Sequence, residues 1–252
     1  MLGAHPSVYA IPHETSAFIN SDVDAARALF QREYLPAALG NGATLLCEKT
    51  PLHVRRLPVV RKAFPGARIV VLVRDARDVT ASIKERLGSL DEAILRWNRD
   101  NVIVRHEVER GRPDLIVVFY EELIAAPEKT LMAISAHVGV DYQPVMLEFH
   151  KDAREWFAGN DAHLRFRNWQ IHQPLTDRRG RWVTILSEAE ASRVEQECRA
   201  LMSFFGYLPP TRASAATRIL GRTWREGKEL LRPARRRLRR IFGKTRRRSI
   251  TP

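Results

Sequence analysis

Residues 69–73 read Ile-Val-Val-Leu-Val, and the run stops abruptly at Arg74. Five apolar, mostly β-branched residues are too few for a helix. They have the length and composition of a strand buried on both faces. A second run of the same kind, Leu115–Phe119, follows some forty residues later. Strands of this type belong to parallel sheets, whose neighbours must be joined by crossovers of a dozen or more residues. The intervening sequence has the helical pattern such crossovers need. The expected class is therefore α/β, with a parallel sheet covered by helices on both faces.

The rest of the chain supports that alternation. Val8–Ile11 reads as a short strand ended by Pro12, and Thr44–Cys47 as another. Ser21 or Asp22 caps a helix to about Leu39, with Ala26, Leu29, Phe30 and Tyr34 on one face. His53–Phe64 is helical but disturbed at Pro58. Helices are also expected over Arg77–Arg86, over Leu90–Arg110 and from Pro127 to Val138, the last closed by Gly139. Ser187 and Glu190 form a capping-box pattern for a helix ending near Phe205.

The chemistry concentrates where the first buried strand ends. Open α/β sheets place ligands outside the carboxyl ends of their strands. Arg74 stands at that end, and Ser82 on the helix that follows. A guanidinium fork and a hydroxyl together suit a phosphate. Arg74 is equally open to a plain reading, an ion pair with Asp78. Lys49 has one too, a salt bridge with Glu48 or Asp75. The histidines at 13, 53, 106 and 137 are isolated and read as ordinary surface or helix residues, His13 being a weak rival base beside Glu14. Trp97 reads as core, and Glu121 and Glu122 as packing and loop residues.

Charge divides the chain. The net charge is +13, yet residues 211–252 hold 15 Lys and Arg against two acids, while residues 1–210 hold 27 of each sign. The body is formally neutral, which argues against a nucleic-acid-binding body. The segment RPARRRLRRIFGKTRRR, with Leu220, Trp224, Leu231, Leu238 and Phe242 at helical spacing, reads as a basic amphipathic tail interrupted at Pro233. It suits peripheral contact with anionic lipid, a solvated arm, or non-specific nucleic-acid contact. No apolar stretch approaches the length of a membrane span. The opening MLGAHPSVYAIPHE lacks a signal-peptide layout, so a cytoplasmic location is the expectation. Cys47 and Cys198 belong to no metal-spaced or disulfide pattern and are expected reduced and buried.

Several short motifs occur in a telling order. EKTP lies at 48–51, VRDARDVTAS at 73–82, YEEL at 120–123, Pro127-Glu128 at a helix start, RRGRW at 178–182 and Gly206-Tyr207 near the end. This order, over about residues 1–208, resembles bacterial sulfotransferases that use 3′-phosphoadenosine 5′-phosphosulfate. The resemblance implies a three-layer α/β fold of P-loop type with a central parallel sheet. It implies that Arg74 and Ser82 bind the donor's 3′-phosphate and that Arg179-Gly180-Arg181 is a basic loop closing over the nucleotide. It places Glu14 where related enzymes hold the acceptor's general base, and Lys49 near the transferring sulfuryl group. The acceptor would be a hydroxyl or amine of a small molecule, carbohydrate or lipid, with no metal and no specific nucleic acid required. Residues 141–175, with Trp156, Phe157, Phe166 and Trp169, either line its pocket or belong to the core.

The chain departs from the pattern at one point. The family's early strand and its Ser-Gly-Thr-Thr phosphate loop, which wraps the 5′-phosphosulfate with backbone N–H groups, have no match in residues 1–252. The expectation is an N-terminally truncated domain at 1–210 with a basic tail at 211–252, either from a start codon placed too late or as an inactive relative with a binding or scaffold role. On this expectation apolar surface is exposed on Ile69–Val73 and Leu115–Phe119. A nucleotide kinase of similar architecture is the other alternative, but it would want a G-x-x-x-x-G-K-Ser/Thr phosphate loop and a Mg²⁺-binding acid, and neither is evident.

Overall fold

A computed structural model describes residues 1–151, 169 and 171–209. The basic tail at 211–252, and Trp156, Phe157 and Phe166, lie outside the described residues. Two compact units divide at Cys198 and Arg199. In the first, strand β1 (Val8–Ala10) leads to helices α1 (Ala17–Asn20), α2 (Val23–Leu29) and α3 (Leu35–Gly40), then to strand β2 (Leu45–Cys47). Helix α4 (Leu57–Ala63), strand β3 (Ile69–Val73), α5 (Ala76–Leu87) and α6 (Leu90–Glu109) follow. Strand β4 (Leu115–Phe119), α7 (Tyr120–Ala125), α8 (Pro127–Val138), α9 (Trp182–Ile185) and α10 (Glu188–Glu197) complete the unit. The second unit's described part is α11 (Arg199–Phe205) and the turn after it.

All described strand pairings are parallel, as the apolar runs predict. They do not form one central sheet. β1 pairs with β2 in the register Val8 to Leu45, and β3 pairs with β4 in the register Ile69 to Leu115. Among the described residues no strand joins the two pairs. The consequence is visible on β3. Val73 is buried, but Leu72 is 55% exposed, so the strand is not covered on both faces as its composition predicts. Composition reports what a strand can bury, and the neighbours decide what it does bury.

Helix boundaries follow local chemistry closely. Asp22 caps α2 by accepting from the Ala25 N–H, and the predicted face buries Ala26, Phe30 and Tyr34. The single long helix expected there is interrupted, because residues 30–34 form a π-type turn. Pro58 starts α4 rather than disturbing it, since residues 51–56 form a 3₁₀ segment and proline is tolerated in a helix's first turn. Asp75 caps α5, Ser89 caps α6, and Gly139 at φ 87° closes α8. The capping box of Ser187 and Glu190 is present on α10, and the expected long helix is broken at Cys198.

Two apolar clusters among the described residues form part of the core. Ile11, Phe18, Phe30, Tyr34 and Ala63 pack beside the β1–β2 pair. Val118, Leu123, Leu131, Ile134 and Met146 pack beside β4. Cys198 is buried, while Cys47 is only half-buried, a correction to the expected burial. Burial pushes the thiols up to about 11 at Cys47 and about 12 at Cys198, so both are protonated at neutral pH and poor nucleophiles. No described helix is long and apolar enough to cross a membrane.

Candidate active site

The carboxyl end of β3 is built as the apolar run predicts. Asp75 turns the chain into α5 by accepting from the Arg77 N–H at 2.8 Å, and its own N–H donates to Glu121 at 3.0 Å. Glu121 thus has the loop role expected of it. Trp97 is buried and donates its indole N–H to the Arg74 carbonyl at 3.1 Å, fixing the strand end from α6. Arg74 is mostly buried, its guanidinium lying 4.3 Å from the Tyr120 ring centroid. Its Nη2 donates to the Arg178 carbonyl and lies 3.3 Å from Asp78. Its Nε is buried with no hydrogen-bond partner in the protein. The ion pair with Asp78 and the approach to the basic loop are therefore both real, and they do not exclude one another.

Residues more than a hundred positions downstream complete this end. Gly180 and Trp182 donate their backbone N–H groups to Asp78 at 2.9 and 3.1 Å. Gly180 takes φ 73°, a left-handed conformation that glycine adopts without penalty. Arg179 is exposed and pairs with Asp177 at 2.6 Å, and Arg181 faces Glu85 at 3.7 Å. The Arg179 bonds hold the Asp177 carboxyl down to about 2. Exposed pairs of this kind are weak and yield to a better anion. Ser82 is exposed on α5, one turn beyond Asp78 on the same face. Trp182 stacks its ring 4.7 Å from the Arg77 guanidinium, which places it under the loop as support.

The carboxyl ends of β1 and β2 form a second polar cluster. Lys49 Nζ donates to Glu14 Oε1 at 2.8 Å, an acid the sequence reading did not pair with it. Both side chains are partly open to solvent, at 47% and 26%. Beneath them Glu48 is almost enclosed. It accepts from Thr15 Oγ1 at 3.0 Å, Thr50 Oγ1 at 2.6 Å and His53 Nδ1 at 2.8 Å. The Phe18 N–H donates to His53 Nε2 at 3.4 Å, which assigns the ring proton to Nδ1. Burial works to raise Glu48, but the bonds from His53, Thr50 and Thr15 outweigh it and hold the carboxyl below its ordinary value. Ser16, beside Glu14, takes φ 51° and donates its N–H to Thr50 at 3.3 Å. Among the described residues it is the non-glycine in the left-handed region. Such strain is retained where surrounding bonds over-determine it. His13 is tied to the Tyr34 hydroxyl at 2.9 Å.

Sequence reasoning underrated four of these residues. His53, read as an ordinary helix residue, is buried against Glu48 five positions earlier. Glu48 drew notice only as a partner for Lys49. Asp78 was visible only through its i,i+4 spacing from Arg74, and Tyr120 only as the first residue of YEEL. Trp169, grouped with candidate core aromatics, is half exposed. Among the described residues no group of His, Cys, Asp and Glu is arranged to hold a metal ion.

Comparison with known proteins identifies the family. Residues 2–144 match the model of the sulfotransferase family. Protein-tyrosine sulfotransferase 2 of Gallus gallus is 28% identical over 134 residues, covering 50% of this chain and 36% of that protein. The protein-tyrosine sulfotransferase of Drosophila melanogaster is 30% identical over 198 residues, covering 74% of this chain and 39% of that protein. The chain thus spans between about a third and a half of the length of these relatives. A solved sulfotransferase domain from the Synechococcus PCC 7002 olefin synthase superposes with a TM-score of 0.59 at 19% identity, covering 83% of this chain and 89% of that one. That likeness speaks to the fold.

Proposed function

Because the chain belongs to the sulfotransferase family, we propose that it takes part in sulfuryl transfer from 3′-phosphoadenosine 5′-phosphosulfate to an acceptor hydroxyl. The observation that carries this reading is the meeting of Arg74 with the loop 178–182 across more than a hundred residues. Three guanidinium groups, of Arg74, Arg179 and Arg181, belong to this one strand end. The buried Nε of Arg74, with no partner in the protein, fits an incoming phosphate oxygen. The exposed Ser82 hydroxyl suits the same anion. These residues would hold the 3′-phosphate.

The bound donor supplies an electrophilic sulfur with a phosphate leaving group. The chain's own residues then have two tasks. Glu14 takes the proton of the acceptor hydroxyl as the oxygen closes on sulfur. Lys49, 2.8 Å from Glu14, offsets the negative charge that builds on the oxygen whose bond to sulfur breaks. Positioning and charge stabilisation supply most of the acceleration in transfers of this kind. The names of the relatives point to a tyrosine phenol as the acceptor to test first. Small-molecule, carbohydrate and lipid hydroxyls come next, with contact of residues 211–252 with anionic lipid as a separate proposal for the tail.

Calorimetry with adenosine 3′,5′-bisphosphate tests the reading, on the 252-residue chain and on a form extended upstream in the reading frame. Binding that weakens strongly in Arg74→Ala is expected. Preference for ATP with Mg²⁺ would instead favour the kinase alternative and overturn the proposal. Binding by the extended form alone would place the 5′ half of the site outside residues 1–252.

A further inference from the structure

Asp78 is the most enclosed acid near the candidate site, its side chain 2% exposed. A carboxylate beside a phosphate site opposes anion binding by charge alone, so its presence needs a reason. The reason lies in what its oxygens hold. Oδ2 accepts from Gly180 and Oδ1 from Trp182, which brackets Arg181 from both sides. The left-handed turn at Gly180 lets both N–H groups converge on one carboxylate. Tyr120 acts from the end of β4. Its hydroxyl donates to the Thr176 carbonyl at 3.2 Å and accepts from the Arg178 N–H at 3.3 Å, while its ring lies under Arg74. Arg74 closes the arrangement by donating to the Arg178 carbonyl.

We infer that Asp78 and Tyr120 are positioning residues that clasp segment 176–182 over Arg74 and so set the affinity for the nucleotide's 3′-phosphate. The inference rests on Arg74 being a phosphate ligand. The clasp uses backbone bonds to fix the loop, and it leaves the guanidinium groups of Arg179 and Arg181 paired, among the described residues, with exposed acids that a phosphate can displace. Two variants separate the parts. Asp78→Asn removes the charge and one acceptor. Tyr120→Phe keeps the ring beneath Arg74 and removes only the hydroxyl latch.

The test pairs two measurements on the full chain. Amide hydrogen exchange without ligand reads the clasp directly: exchange at Gly180 and Trp182 rises about tenfold in Asp78→Asn, and exchange at Arg178 rises in Tyr120→Phe, with β3 and β4 amides unchanged. Calorimetry then reads its use: Kd for adenosine 3′,5′-bisphosphate rises about tenfold in Asp78→Asn and about threefold in Tyr120→Phe, while adenosine 5′-monophosphate binding does not move. If Asp78→Asn loosens the whole fold, Tyr120→Phe decides alone. Unchanged loop exchange overturns the clasp. Bisphosphate binding that falls in Arg74→Ala but in neither clasp variant also overturns it and leaves the phosphate assignment standing. Binding unaffected by Arg74→Ala sinks the phosphate assignment itself.

Discussion

The two strand-end clusters solve opposite problems. At the end of β3, cations are gathered from distant parts of the chain and held by a buried acid, an aromatic ring and backbone bonds. At the ends of β1 and β2, an acid and a base meet in partly open space, and what is buried lies one layer below, in Glu48 and His53. The first arrangement suits binding a fixed anion. The second suits moving a proton, because Glu14 and Lys49 stay accessible while their loop is held still. Affinity and turnover should therefore respond separately to mutation.

The sharpest test of that separation is Glu14→Gln. Loss of a general base lowers kcat by about 10²- to 10⁴-fold, while bisphosphate affinity and melting temperature stay close to wild type. Steady-state kinetics beside calorimetry decide it, and a parallel loss of affinity would merge the two clusters. Next in size is Arg74→Ala, expected to weaken the bisphosphate about 100-fold through the lost charge-assisted bonds. It also leaves Asp78 buried without its cation, so the fold loses about 3 kcal/mol. Denaturant titration beside calorimetry separates those two effects.

A smaller effect is expected at Glu48→Gln, about 1–3 kcal/mol of stability from the disturbed bonds of Thr15, Thr50 and His53. Here pH sharpens the comparison. Glu48 is held below its ordinary value of 4.5, so its contribution is full above that value and is lost as pH falls through the lowered one. Thermal melts across the acid range should show a steeper loss in wild type than in Glu48→Gln, and parallel curves would contradict the buried network. Smallest is the thiol chemistry. With Cys198 pushed up to about 12, its alkylation at neutral pH should be slow until denaturant is added. Rapid labelling at Cys198 in the native chain, read apart from Cys47, would contradict its burial.

Much of this was legible before any coordinates. Asp22, one of the two caps the sequence offers there, and Ser187 announce helix starts because a capping bond spans two or three residues. Ile69–Val73 and Leu115–Phe119 announce strands, and the abrupt change at Arg74 marks the carboxyl end of β3. The π-type turn at 30–34 carries no such signature, since its pattern differs from an α-helix by one residue per turn. Nor did the sequence pair Lys49 with Glu14, since the acids it offered were Glu48 and Asp75.

Sequence alone therefore determined the parallel strands, most helix limits, the place of Arg74 at the end of β3 and the family resemblance, because each rests on neighbours in the chain or on motifs in a fixed order. Tertiary structure decided that the strands form two pairs, that Leu72 stays half exposed, that Glu14 takes Lys49, and that Asp78 reaches Gly180 and Trp182. Those contacts join residues from 35 to 104 positions apart. Which distant groups meet depends on how strands and helices stack, and local spacing does not encode that.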